Sequence, residues 1–582
     1  MSASHTLYKA ALSVPHQEPS TPDFGVNSLG AIQQSDPSSL NDVLERQVSV
    51  NNSGSFATAN NDIYLDVAAV PRRGDTNTRG DAISQRESAM TSVKELRAVG
   101  KKVGWRWRQY LAAILVNIIS FATGTAYGWV APILPLLQSE DSPIGIPPLT
   151  DVETSWIASI ATLSRLVSIP AYMYAHDRLG RKMTAYLTAI PFVACWTLLL
   201  CANSVTLLFC ARFFFGVASA GTCLLAPSYL SDVAEDDIKG QLGVFYTLTL
   251  DFGITLAYIM GYFLSYTAFN SCCLVLPILF AAAMYWLPES PIFLMTKGKP
   301  DEARMALRWL RNGQENEAEL ERLRKRAEDT LKKRQKKVSI EVMISLSDIM
   351  ERSTIRGILI NLCLTSVRYL CGVNAIMTYT VAIFEESGST LDPYISLILM
   401  GLLFTIGSMF SSLVVEKFGR RPLLLYTTIL LAVSLISLGT CFYLKSLGWD
   451  LDYVGWMPLV SVCLYNMVHG MALSPLPSAI VNETVTVHAR GAVQSLCNIV
   501  GSLMSFTVLM TFSPLTKAIG QHGCFWLYAG VCIIGTITMF FIVPETKNRS
   551  LEEVLNQLKS DHYIRSVLRK TSNSDKVAEV PA

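Results

Sequence analysis

Between residues 110 and 543 the chain carries twelve apolar stretches, each long enough for a helix to cross a hydrocarbon core about 30 Å thick, which takes roughly twenty residues. They lie near 110–132, 153–174, 183–202, 205–227, 241–265 and 271–287, then near 357–384, 394–415, 422–444, 456–481, 490–513 and 524–543. Lipid offers a backbone no hydrogen bonds, so the stretches predict helices and the chain reads as an all-α polytopic membrane protein with twelve transmembrane helices. Only 16% of residues are charged, against roughly 25% in soluble domains. The net charge of +2 is too small to hold nucleic acid by neutralising its phosphates.

A charged stretch over 296–356, with Glu315, Glu317, Glu319, Glu321, Arg322, Arg324, Lys325 and Arg326, separates the two sets and reads as exposed helices. The expected organisation is a tail over 1–93, disordered by its Ser, Asn, Asp, Pro and Thr content, then a six-helix bundle over 94–295 and a cytoplasmic helical linker over 296–356. A second six-helix bundle over 357–545 and a C-terminal tail over 546–582 follow. The N-terminal tail has no apolar core of a cleavable signal peptide, and its partners are unknown. Lys and Arg collect in alternate loops: Lys94, Arg97, Lys101, Lys102, Arg106 and Arg108 before the first stretch, then Arg178, Arg181, Lys182, Lys239, Lys417, Arg420, Arg421 and Arg490. The opposite loops hold little beyond Lys445 and Lys517, so both termini are expected in the cytoplasm, and the sequon at Asn51 is expected unmodified. Thirteen cysteines show no CxxC pair and no His spacing suited to zinc, so neither a metal nor a cofactor is expected. No His/Asp/Ser constellation in the helices points to an enzyme.

Three short signatures recur roughly 240–260 residues apart, as a duplicated six-helix unit requires. Asp177-Arg-Leu-Gly-Arg-Lys182 answers Glu416-Lys-Phe-Gly-Arg-Arg421; Asp232 with Lys239-Gly240 answers Glu483 with Arg490-Gly491; Pro288-Glu-Ser-Pro291 answers Pro544-Glu-Thr-Lys547. Each couples an acid to Arg or Lys at a helix end. Half-exposed ion pairs contribute roughly 0–1 kcal/mol apiece, so several together suit a gate that closes without locking. Topology marking and helix capping account for the cations but not for the recurring acids and glycines.

From about 110 to 557 this set resembles the sugar porter family of the major facilitator superfamily. The resemblance rests on these motifs together with Arg212 in Arg-Phe-Phe-Phe-Gly216 and Gly372-Val-Asn-Ala375. The run Gly128-Trp-Val-Ala-Pro-Ile-Leu-Pro135 looks more like insect facilitated trehalose transporter relatives than like mammalian glucose carriers. It implies a facilitative carrier at the plasma membrane, with two bundles rocking about a central sugar site. Asn374 matches a sugar-binding asparagine, Tyr379 an aromatic gate, and Asn498 another cavity asparagine. The implied cytoplasmic gate comprises Asp177, Arg178, Gly180, Arg181, Arg212, Asp232, Glu289, Glu416, Gly419, Arg420, Arg421, Glu483, Arg490 and Glu545.

The chain departs from the family inside the implied site. Arg368-Tyr369 stands where the family has a Gln-Gln pair, Thr247 where it has a glutamine, Phe404 where it has an asparagine and Ser478 where it has a tryptophan. Ile292 replaces an arginine after the Pro-Glu-Ser-Pro motif, and Ala126 the first-helix aspartate of proton-coupled members, which favours uniport. Asp251 and Arg368 are intramembrane charges costing roughly 2.5–3.5 kcal/mol each, and are expected to face a cavity and each other. Such a pair is an inter-bundle latch, part of a site for a charged or zwitterionic solute, or a structural clamp; as a cavity carboxylate, Asp251 also leaves proton coupling open. Two functional readings remain: a carrier of a small solute, a sugar such as trehalose or a hexose, and a receptor-like sensor with little flux.

Overall fold

In lipid a chain has to satisfy its own N–H and C=O groups, and this one does so with helices throughout. The computed structural model describes residues 106–235, 238–313, 317–336, 352–388, 391–449, 455–486, 489–547, 549 and 551–559, and no strand occurs among them. They all belong to one compact unit, Leu96–Ala582. The expected N-terminal tail and its sequon, the middle of the linker and the end of the C-terminal tail lie outside the described residues.

The first half comprises α1 (Arg106–Gln138), α2 (Asp151–Leu179), α3 (Arg181–Leu200), α4 (Val205–Val233), α5 (Lys239–Phe263) and α6 (Tyr266–Trp286). Helix α2 starts where its sequence says it should: the Thr150 hydroxyl accepts from the Glu153 N–H at 3.3 Å, and the Glu153 carboxylate accepts from the Thr150 N–H at 2.9 Å. Lipid gives helices no hydrophobic reason to associate, so close packing of small residues holds them together. Helices α1 and α5 meet backbone to backbone, because a methyl at Gly124 would overlap the Leu250 carbonyl and one at Gly253 the Phe121 carbonyl. Trp129, fully buried at an interruption of α1, donates its indole N–H to Asn270 Oδ1 at 2.8 Å.

Three short helices follow: α7 (Pro291–Thr296), α8 (Pro300–Leu310) and α9 (Glu317–Lys336). The described part of the charged stretch is thus helical, but it is tied to the first half. Arg311 bonds Glu319 at 2.5 Å and the Val233 carbonyl at 3.1 Å, and Arg108 donates to the Trp309 carbonyl at 3.0 Å.

The second half comprises α10 (Arg352–Leu370), α11 (Val373–Ser387), α12 (Pro393–Phe418), α13 (Arg420–Ser446), α14 (Met457–Val468), a π-helical turn over His469–Leu473, α15 (Leu476–Thr484) and α16 (Arg490–Ile542). Four of the sequence-predicted stretches are not simple separate rods. The stretch over 357–384 breaks at Gly372, whose φ of +88° no side chain favours and where a Cβ would strike the Tyr528 ring. The stretch over 456–481 is interrupted by the π-helical turn and Pro475. The last two join in one 53-residue helix bent at Gly520. Beyond it, α17 (Leu551–Lys559) buries Val554 and Leu558 and accepts a bond from Arg356 at the Leu558 carbonyl at 2.6 Å. The start of the expected C-terminal tail is therefore packed structure. Ten helices among the described residues are long and apolar enough to cross a membrane.

Candidate functional site

The recurring motifs fold into the same charge cluster twice. In the first half Arg181 Nε donates to Asp232 Oδ2 at 2.8 Å, and the Ser290 hydroxyl donates to the same oxygen at 2.7 Å. The Glu289 carboxylate accepts from the Arg181 and Lys182 N–H groups, both at 3.0 Å, and so caps α3. In the second half Arg420 Nη2 donates to Glu483 Oε1 at 2.9 Å, and the Thr546 hydroxyl to Glu483 Oε2 at 2.5 Å. Glu545 accepts from the Arg420 and Arg421 N–H groups, both at 3.2 Å, and caps α13. Each cap puts a carboxylate on the positive end of a helix dipole and satisfies N–H groups with no partner in their own helix. Gly180 and Gly419, with φ of +94° and +86°, turn the chain sharply between the two helices of each hairpin. A Cβ at Gly180 would also meet the Glu289 carboxylate.

Around these clusters Arg178 is exposed over the Tyr174 ring, Asp177 is exposed, and Arg490 Nε holds the Val485 carbonyl at 3.2 Å. The Glu416 side chain lies outside the described residues. Arg212, expected at this gate, does not lie there. It stands near the start of α4, whose other end carries Asp232, so at 1.5 Å per residue the two are about 30 Å apart. Arg212 is 3% exposed and donates to the carbonyls of Ile157 at 3.2 Å and Ala126 at 3.0 Å, with the Trp129 and Phe215 rings against its guanidinium. The reason is local: an arginine inside a half has only backbone oxygens and ring faces to solvate it.

Polar and aromatic contacts joining the halves gather toward the end opposite the two clusters. Lys517 pairs with Asp151, Trp156 lies 6.2 Å from Phe506, and Ser159 Oγ donates to Met510 Sδ at 3.7 Å. Tyr394 donates to the Pro132 carbonyl at 3.4 Å, and Thr255 donates to the Gly401 carbonyl at 2.9 Å.

Near the middle of the helices stand the residues expected to meet a solute. Asn374 donates its amide to Ser505 Oγ at 2.5 Å, tying α11 to α16. Tyr379 is buried at a local kink in α11 with its ring stacked 4.8 Å from Phe512, and its hydroxyl has no partner. Thr247 and Asn498 are half-buried. Asp251 is 2% exposed with Oδ2 unpartnered, whereas Arg368 is half-buried with its guanidinium over the Tyr369 ring. The expected Asp251–Arg368 ion pair is not made in this conformation, although each lies within electrostatic reach of the other. Sequence reasoning missed Arg165, at the midpoint of α2, which bonds the Tyr127 hydroxyl at 3.3 Å and has Tyr246, Tyr369 and Cys223 as further neighbours. A lone arginine inside an apolar stretch is the same signal that marks Arg368. Also missed is His469, buried in the π-helical turn with its ring stacked near Phe404 and Tyr465. Among the described residues no group of His, Cys, Asp and Glu could hold a metal ion.

Residues 113–558 match the family described as sugar (and other) transporter. The facilitated trehalose transporter Tret1 of Aedes aegypti is 31% identical over 77% of this chain and 55% of its own length. That of Polypedilum vanderplanki is 31% identical over 77% of this chain and 87% of its own. Among solved structures, the inward open conformation of the xylose transporter XylE from E. coli superposes with a TM-score of 0.61 at 20% identity, covering 77% of this chain and 99% of that one. The major facilitator superfamily proton:xylose symporter XylE bound to 6-bromo-6-deoxy-D-glucose gives 0.61 at 20% identity, over 79% of this chain and 100% of that one.

Proposed function

Because the chain belongs to the sugar (and other) transporter family, we propose that it is a facilitative carrier moving a sugar such as trehalose or a hexose across the plasma membrane by alternating access. The observation that carries this reading is the cluster built once in each half and closed within that half, while polar and aromatic contacts between halves gather toward the other end. Two internally braced bodies joined at one end can rock about the middle. The twelve-helix frame is supported by the ten apolar helices, by the bend that divides α16 into two arms, and by the 29-residue α2. On that frame the bundles span 94–295 and 357–545, with 296–356 linking them. The Lys- and Arg-rich loops support placing the clusters and both termini in the cytoplasm, so the conformation described faces inward.

In this reading Asn374, Asn498, Thr247 and Tyr379 meet solute hydroxyls, and the residues around the two clusters form the inner gate. Ala126 supports uniport. Purified full-length protein in proteoliposomes tests the proposal: saturable uptake of labelled trehalose or a hexose is expected, with no accumulation driven by a pH gradient. Sugar binding without flux would favour a sensor, and accumulation under a proton gradient would replace uniport by symport.

A further inference from the structure

Among the described residues four Arg and Asp side chains lie within the spans away from the end clusters, and they are treated very differently. Arg212 is enclosed by two backbone carbonyls and two aromatic rings inside the first half. Arg165, Asp251 and Arg368 each stand near the middle of a span, too far from a helix end to reach the membrane surface. Arg165 has one long hydrogen bond, to Tyr127, and its buried Nε has no partner. Arg368 rests only over its neighbour's ring. Neither forms an ion pair, and the single aspartate nearby keeps an unpartnered oxygen.

Arg165 has Tyr127 on α1, Cys223 on α4 and Tyr246 on α5 about it, with Tyr369 on α10, the ring that also carries the Arg368 guanidinium; Asp251 on α5 accepts at its carbonyl from Thr405 on α12 at 3.3 Å. The three charges therefore stand between the halves, where a solute would pass, and not toward lipid. A guanidinium cannot shed its proton to relieve burial. Two guanidinium groups against one carboxyl leave at least one positive charge uncompensated, beside phenol groups suited to hydroxyls. We propose that Arg165 and Arg368 form a binding site for a polyhydroxy solute carrying one negative charge, a sugar monocarboxylate. The proposal rests on the carrier reading and names the class of cargo.

The test separates binding from flux. Detergent-solubilised full-length protein is titrated with glucuronate, glucose and glucose 6-phosphate at constant ionic strength and followed by thermal shift; the same compounds, labelled, are offered to proteoliposomes. Glucuronate is expected to bind at least ten-fold more tightly than glucose and more tightly than the phosphate ester. Arg165→Gln and Arg368→Gln are each expected to weaken it ten-fold or more with ligand-free melting unchanged, while Arg165→Lys and Arg368→Lys retain the preference. Uptake of glucuronate should rise with an inside-positive membrane potential. Equal binding of glucose and glucuronate by the unaltered protein overturns the proposal whatever the variants do. So does tight glucuronate binding by a folded Gln variant, or preference for the phosphate ester. Glucuronate binding without flux of any compound leaves the site standing and removes the carrier reading; glucose flux without glucuronate binding does the reverse.

Discussion

Glu289 and Glu545 each do a job that no neighbour in sequence can do: they cap a helix more than a hundred residues away with both carboxylate oxygens. The N-terminus of α3 or α13 follows a glycine with no side chain to offer, so the cap has to come from elsewhere in the fold. Glu289→Ala is expected to lower stability by about 1–2 kcal/mol and Glu289→Gln by about half as much, since the amide still accepts one bond but carries no charge. Glu545 is expected to behave alike. Melting in detergent checks both, and equal effects of Ala and Gln would show that only the charge matters. Arginine shows at the same scale why residue type alone does not assign a role. Arg212 is solvated by carbonyls, Arg181 and Arg420 by carboxylates, and Arg165 by a single phenol.

At the scale of elements, the helices are broken where two halves would have to move. Gly372 ends one helix and starts the next, Tyr379 departs from helical geometry at φ −103° and ψ 18°, and a π-helical turn precedes Pro475. Such breaks leave backbone groups that neighbouring helices re-satisfy, as Tyr465 does by donating to the Cys371 carbonyl at 3.0 Å. Elsewhere α2 and α16 lie side by side, with Ser159 against Met510. If those helices separate during each cycle, oxidative cross-linking of Ser159→Cys with Met510→Cys, in a background freed of the native cysteines, is expected to abolish sugar uptake, and reductant to restore it. Uptake that continues in fully cross-linked protein would mean that this end never opens. The Lys517–Asp151 pair is half-exposed and contributes roughly 0–1 kcal/mol, small enough not to prevent opening.

Over the whole molecule the duplication becomes physical: two copies of one motif set make two copies of one cluster, with Asp232 and Glu483 as equivalent acceptors. Because no bond joins these two ion pairs here, the stability losses of Asp232→Asn and Glu483→Gln are expected to add within about 0.5 kcal/mol in a double variant. A larger coupling would mean that the halves are braced against each other at that end. Much of this was legible in the chain. Spans announce themselves because crossing lipid demands length and apolarity together, and duplicated signatures announce a duplicated fold. The Gly372 break, the π-helical turn and the bend at Gly520 were not legible, since an apolar run looks alike whether or not its backbone stays helical. Charge was legible as a cost, but not its settlement. The sequence by itself determined that the chain would be helical, would sit in lipid and would carry charges at mid-span, because hydropathy and desolvation act residue by residue. Only the tertiary structure decided which charges met: Arg181 found Asp232, Arg212 found two carbonyls, and Arg165, Arg368 and Asp251 stayed apart. Pairing depends on distances that arise only once helices from both halves have packed.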